Sequence, residues 1–185
     1  MRNSNNVDMT AGAQKTYKVA LPYPVIKVEK PNAEYAGYML EDAAGMVSEM
    51  SDVAAYLYQG LMIDSKYKDV IDTMQGIKLV EMNHLEIFQK LAKQLGADPR
   101  LWDQKGNRRR YWTPGYIQYP VQLQDILRYD IEREQTEMNQ YAKQMRVITD
   151  RNIVAILQRI ILDEQLHVEI LTELYDKYFK PMPRK

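Results

Sequence analysis

The sequence predicts an all-α protein, a four-helix bundle with a long crossover between helices 2 and 3. Three observations carry that expectation. The prolines crowd into Pro22 to Pro31, Pro99 to Pro120 and the tail at Pro181 and Pro183, which leaves long stretches free of the residue that breaks helices. Within those stretches apolar side chains recur at the three- and four-residue spacing of a helix face. The connections between stretches run short, long, short, the pattern of a bundle with one crossover.

Residues 1–32 read as an irregular arm, punctuated by Leu21-Pro22-Tyr23-Pro24 and by Lys30-Pro31-Asn32. Asn32 suits a helix N-cap. The β-branched run Val25-Ile26-Lys27-Val28 suits a short strand in the arm, and nothing else reads as sheet. From Asn32 to about Ile63, Met39, Met46, Val53 and Tyr56 follow helical spacing and define helix 1. Asp64 or Ser65 then caps helix 2, striped by Val70, Met74, Ile77, Glu81, His84, Phe88, Leu91 and Leu95 and ended by Gly96 and Pro99.

The connection from Gly96 to Tyr119, about 24 residues, is too long for a turn between neighbours. Pro120 fits the first turn of helix 3, striped by Leu127, Ile131, Glu134, Met138, Tyr141, Met145 and Ile148. Thr149-Asp150 makes a tight junction. Helix 4 carries Leu157, Ile160, Glu164, His167, Leu171, Leu174 and Tyr178. Helices of 25–30 residues would each span roughly 40 Å. The bundle is thus expected over residues 33–180, followed by a tail at 181–185.

Composition narrows the function. At 185 residues the chain fits one domain, and 25 Lys+Arg balance 25 Asp+Glu. Zero net charge excludes nucleic-acid binding driven by bulk electrostatics. Cysteine is absent, which excludes thiol nucleophiles and Cys-ligated iron within this chain and fits a reducing compartment. The segment Met1–Thr10 is polar and unlike a signal peptide. No apolar run approaches the 18 residues of a membrane span, and the mean hydropathy is −0.51. The expectation is a cytoplasmic protein with no nucleic-acid and no membrane partner.

The information lies where the apolar stripes fail. Helix 1 presents Glu49 between Met46 and Val53, helix 2 presents Glu81 and His84, helix 3 Glu134, and helix 4 Glu164 and His167. Unpaired carboxylates in a bundle core cost several kcal/mol each, and no Lys or Arg lies on the stripes to pair them. Converging carboxylates repel unless a cation sits among them, and two imidazoles add neutral nitrogen donors. Oxygen-rich sets with one nitrogen per ion suit iron or manganese. In Glu-x-x-His both side chains lie on one helix face and grip one ion.

Glu49, Glu81-Met82-Asn83-His84, Glu134 and Glu164-Gln165-Leu166-His167 resemble the duplicated signature of the ferritin-like di-iron and di-manganese carboxylate superfamily. The resemblance covers roughly residues 35–178. It implies two Fe or two Mn ions about 3.5–4 Å apart, able to take peroxide or O2 as a small oxidant. His84 and His167 would each hold one ion, Glu81 and Glu164 would bridge the pair, and Glu49 and Glu134 would be terminal ligands. Glu137, one turn beyond Glu134, is similar to the additional ligand of rubrerythrins; its other reading is a plain surface glutamate.

Tyr56 and Tyr141 each follow a lone ligand Glu by seven residues and should face the core. They would hydrogen-bond ligand carboxylates or supply an electron. Gly45 and Gly76 admit a small oxidant or allow close helix contact. Arg108-Arg109-Arg110-Tyr111-Trp112 reads as a solvated crossover or a partner for carboxylates at a subunit interface rather than a nucleic-acid loop.

Two branches of the superfamily are in view. A rubrerythrin-like peroxidase would need an external electron donor, since this chain carries no rubredoxin site. A manganese-catalase-like activity would not, peroxide being both oxidant and reductant, and Gly45-Met46-Val47-Ser48-Glu49-Met50-Ser51 resembles that branch. The alternatives are an iron-oxidising storage protein and a coat-type structural protein braced by metal. Tyr56, Tyr58, Tyr175 and Tyr178 suggest a homodimer, with the arm packed on the neighbour.

Overall fold

The computed structural model describes residues 16–105 and 108–181. The arm before residue 16, with its polar segment Met1–Thr10, Asn107 of the crossover, and the tail from 182 lie outside the described residues. Among the described residues five α-helices run in the order α1 Ala33–Ala44, α2 Glu49–Met62, α3 Lys68–Gln94, α4 Leu123–Gln144 and α5 Arg151–Phe179. The protein is all-α in class, a ferritin-like four-helix bundle.

Helix 1 of the sequence reading is two helices, and the reason is local. Asn32 caps α1 by accepting the amides of Glu34 (2.9 Å) and Tyr35 (3.1 Å). At Gly45 the backbone leaves the helix, with φ −73° and ψ −170°, and its amide closes on the Glu41 carbonyl at 2.7 Å. A Cβ at Gly45 would stand 2.6 Å from that carbonyl oxygen, so only glycine fits. Ser48 then restarts the helix: its hydroxyl donates to the Gly45 carbonyl (2.8 Å) and accepts the Ser51 amide. Met46 falls in the break and is 60 % exposed rather than part of the stripe. Glu49, in turn, opens α2.

Helix starts shift for similar reasons. Asp64 accepts the Lys66 amide at 3.0 Å within a turn, and α3 begins four residues later, after Tyr67. Pro120 lies before α4, whose N-cap is Gln122. Asp150 caps α5 through the Asn152 and Ile153 amides.

The crossover contains a two-stranded antiparallel hairpin, β1 Trp102–Lys105 against β2 Arg108–Tyr111, with Trp102 facing Tyr111. This corrects the expectation that only the arm would hold a strand; Val25–Val28 forms none. Charged Asp-Gln-Lys and Arg-Arg-Arg segments give no strand signal. The hairpin is held instead by Arg110–Asp103 (2.9 Å) and by Trp102, buried on α1 with Arg100 and Arg109 over its ring. The basic run is thereby largely absorbed within the crossover.

Two apolar cores sit at opposite ends. One joins Met39 and Leu40 of α1 with Phe88 and Leu91 of α3, Tyr141 of α4 and Ile153–Ile160 of α5. The other joins Tyr56 and Ile63 to Val70–Ile77 of α3, Ile126 and Leu127 of α4, and Leu171 and Leu174 of α5. Hence α3 and α4 both run from the second core towards the first, while α5 and the α1–α2 rod run the other way. Two parallel neighbours in sequence need the long crossover. Among the described residues no helix is long and apolar enough to cross a membrane.

Candidate metal centre

Between the two cores lies a polar belt. Glu49, Glu81, His84, Glu134, Glu164 and His167 are all 0–1 % exposed and converge there. Each histidine turns Nδ1 inward. His84 Nδ1 lies 3.0 Å from Glu81 Oε2, 3.1 Å from Glu164 Oε1 and 3.6 Å from Glu49 Oε2. His167 Nδ1 lies 2.9 Å from Glu81 Oε1, 3.0 Å from Glu164 Oε2 and 3.4 Å from Glu134 Oε2. Two overlapping ligand sets result: Glu49, Glu81, His84 and Glu164, and Glu81, Glu134, Glu164 and His167, each with one atom per residue within 4.8 Å of the others.

The residues fit metal ions by three measures. Neighbouring ligands of a small divalent ion bound at about 2.1 Å sit about 3 Å apart, the spacing seen around each Nδ1. Glu49 Oε2, Glu81 Oε1 and Glu164 Oε1 are buried without a hydrogen-bond donor among the described residues. The outer faces of both imidazoles meet acceptors, which puts the proton on Nε2 and leaves Nδ1 as a lone pair. His167 Nε2 meets the Tyr17 carbonyl at 2.8 Å, and a carbonyl can only accept. His84 Nε2 meets Asp163 Oδ2 (3.2 Å) and the Tyr23 oxygen (3.0 Å), while the Tyr23 hydroxyl donates to Asp163 at 2.5 Å.

Without a cation the belt retains protons. Burial lifts the Glu49 and Glu134 carboxyls well above their ordinary range, and the neighbouring Glu81 and Glu164 add to it. Burial opposes charge on His84 and His167 too, but the surrounding carboxylates outweigh it and raise both. Glu81 goes the other way: burial would raise it, yet His167 and His84 hold it down at about 2. Metal entry therefore displaces protons, so binding tightens as pH rises.

Tyr56 and Tyr141 cross over. The Tyr56 hydroxyl on α2 donates to Glu134 Oε1 on α4, and the Tyr141 hydroxyl on α4 donates to Glu49 Oε1 on α2 at 2.6 Å. Each lone glutamate thus has one oxygen committed to a phenol and the other facing a histidine. Burial, then the carboxylate, keeps both phenols protonated.

Glu137 stands apart from both sets. It is fully buried, not on the surface, and neither of its oxygens finds a hydrogen-bond donor. Arg133 stands 3.6 Å away and pairs with Asp52 at 2.5 Å. Burial, then Asp52, lifts the Glu137 carboxyl well above the usual range. The glycines are also placed differently from either sequence reading: Gly45 ends α1, and Gly76 makes room for the Tyr17 ring of the arm, not for a helix.

Sequence reasoning missed Tyr17, Tyr23, Asp52, Arg133 and Asp163. Asp163 and Arg133 sit directly before the belt glutamates Glu164 and Glu134, and Asp52 one turn after Glu49, a pattern the stripes alone did not flag. Tyr17 and Tyr23 reach the site only through the path of the arm.

The family model described as Rubrerythrin matches residues 40–175. The chain belongs to the rubrerythrin family. Two solved structures share the fold of this rubrerythrin-family chain. The crystal structure of wild-type KatB, a manganese catalase from Anabaena, is 21 % identical with a TM-score of 0.77, covering 90 % of this chain and 84 % of that one. A structure of KatB from Anabaena PCC7120 is 20 % identical with a TM-score of 0.77, covering 92 % and 87 %. No curated protein matches the chain.

Proposed function

We propose that the chain holds two iron or manganese ions and disproportionates or reduces peroxide. The observation that carries this reading is the division of Glu81 and Glu164: each gives one oxygen to the His84 set and the other to the His167 set. Glu81 and Glu164 would thus help to hold both ions. Bound there, a pair of such ions supplies Lewis acidity and two one-electron steps.

The chain's own residues do the rest. Glu49 and Glu134 each offer one oxygen as terminal ligands, and Tyr141 and Tyr56 act as positioning residues on the other oxygen. The two apolar cores wall off bulk water on both ends. Glu137 lies in the same buried belt beside Arg133 and Asp52, where burial, then Asp52, raises its carboxyl well above the usual range and favours its protonated form.

Fold neighbours that are manganese catalases, and the lack of cysteine to receive electrons in this chain, favour disproportionation over a donor-dependent peroxidase. Metal-loaded protein should therefore release O2 from hydrogen peroxide with no electron donor present, followed with an oxygen electrode. Peroxide consumed only with a donor would move the reading to a peroxidase. Peroxide untouched in both conditions would sink the enzyme reading and leave a metal-braced bundle.

Assembly as a homodimer belongs to the same proposal, on different grounds from the tyrosines. Tyr56 serves Glu134, Tyr178 bonds Asp69 at 2.7 Å and Tyr175 accepts from Arg128 at 2.8 Å, all within the chain. The described part of the arm packs on its own bundle. Leu57, Leu61, Leu79 and Met82 remain exposed. Sedimentation mass measures the outcome.

A further inference from the structure

The two histidines are finished by different parts of the chain. Asp163, immediately before Glu164 on α5, is the outer partner of His84 across the bundle. The corresponding residue before Glu81 is Val80, which offers no acceptor, so the internal duplication supplies no side-chain partner for His167 Nε2. The arm fills that place with a main-chain carbonyl, Tyr17 O.

How residue 17 is held there can be traced along the arm. Residues 16–20 alternate outward and inward, so that Tyr17 and Val19 turn to the bundle. The Val19 amide donates to Asp163 Oδ1 (2.8 Å), and buried Arg159 donates to the Leu21 (2.7 Å) and Val19 (3.0 Å) carbonyls. The Tyr17 ring itself lies against the bare Cα of Gly76, where any Cβ would overlap three ring carbons. Beside it lies an open pocket of about 450 Å³ bordered by Leu79, Val80 and Asn83.

The geometry points to an arm-dependent metal position: the Tyr17–Gly76 contact seats the carbonyl that orients His167, so residue 17 controls the affinity of the His167 half-site, whereas the arm meets the His84 half-site elsewhere, through Val19 and Tyr23. The inference rests on the two-ion reading. His84 keeps Asp163 on a helix of the bundle even when the arm shifts. His167 has nothing equivalent among the described residues. Loss of an outer partner lowers metal affinity by about 10- to 100-fold.

The test is Mn2+ titration of the metal-free full chain, with bound metal counted by elemental analysis and the formation of coupled pairs followed by electron paramagnetic resonance. Wild type should take two ions in two unequal steps. Gly76→Ala should weaken one step by about 10-fold or more and leave the other within about threefold, so that a one-ion species accumulates. Asp163→Asn should weaken the other step. If Gly76→Ala loses helical circular dichroism, Tyr17→Gly, which leaves α3 untouched, should give the same selective loss. Both steps at wild-type strength in the variants, or equal weakening of both, would overturn the inference. Wild type binding no ion would overturn the two-ion reading and this inference with it, an outcome distinct from either of those.

Discussion

The two flanks of the polar belt are finished in opposite ways. On the histidine flank, between α3 and α5, Asp163 receives Tyr23, the Val19 amide, Arg159 and His84, and the arm lies over all of them. On the glutamate flank, between α2 and α4, Asp52 Oδ2, Asp130 Oδ2, Gln59 Oε1, an Arg133 nitrogen and both Glu137 oxygens are buried with no hydrogen-bond partner among the described residues. Each such group costs about 1–3 kcal/mol if nothing meets it. A fold optimised for stability alone would not keep six of them in one strip. The histidine flank fixes the two imidazoles, whereas burial on the glutamate flank raises the Asp130 and Glu137 carboxyls, and two bound ions would lie between these flanks.

The sharpest way to break this picture is to remove what the two candidate ligand sets share. Glu81→Ala takes one oxygen from each ligand set, so metal content should fall from two ions per chain to nearly none, both leaving together. Glu49→Ala touches only the His84 set and should spare the other ion. Elemental analysis after equilibrium dialysis decides it. One firmly held ion in Glu81→Ala would show that the sets do not share that carboxylate.

Much of the belt is legible in sequence because a charged residue on an apolar stripe is a local signal of period 3.6. Glu81 and His84 interrupt Ile77 and Phe88, and Glu164 and His167 interrupt Ile160 and Leu171, so one helix suffices to see them. The bundle with its long crossover was legible for the same reason. The break at Gly45 to Ser48 was not, since the stripe runs on through Met46 and only the capping of Ser48 onto Gly45 turns the chain. Nor was the hairpin, which is held by Trp102 packing rather than by β-propensity. Tyr17 and Tyr23 lie about 60 to 150 residues from their partners in sequence, and contacts of that range leave no periodic trace.

Two buried aspartates sharpen the comparison next. On the glutamate flank burial lifts Asp130 to about 8, although the Gln59 hydrogen bond and Arg133 oppose it. Its folded value lies above its unfolded one, so its contribution to stability is complete below about pH 4 and is lost as pH rises through about 8. On the histidine flank Asp163 is held below its ordinary value: burial would raise it, but His84, Tyr23, the Val19 amide and Arg159 prevail. Its contribution is present above the unfolded value and fades as pH falls. Denaturant unfolding of the metal-free protein across pH 5 to 8 should show Asp130→Asn losing part of the decline towards alkaline pH. Asp163→Asn should instead lower stability throughout that range. Parallel profiles for the two variants would abolish the distinction between the flanks.

The smallest effect tests the crossing of the tyrosines. Tyr141→Phe keeps the ring in its packing against Phe88 and removes only the donor to Glu49 Oε1. Tyr56→Phe likewise removes the donor to Glu134. A hydrogen bond to a charged group contributes about 1.5–3 kcal/mol, but here a freed carboxylate oxygen can turn to a bound ion and recover part of it. The loss should thus be larger in metal-free than in metal-loaded protein, a difference of a few degrees in Tm for a domain of this size. The address of the loss is the sharper readout. Because the phenols cross, Tyr141→Phe should weaken the ion beside His84, and Tyr56→Phe the ion beside His167. Asp163→Asn and Gly76→Ala mark those same two steps from the histidine flank. A tyrosine variant that weakens the step belonging to its own helix's glutamate would show that the crossed bonds do not persist in solution.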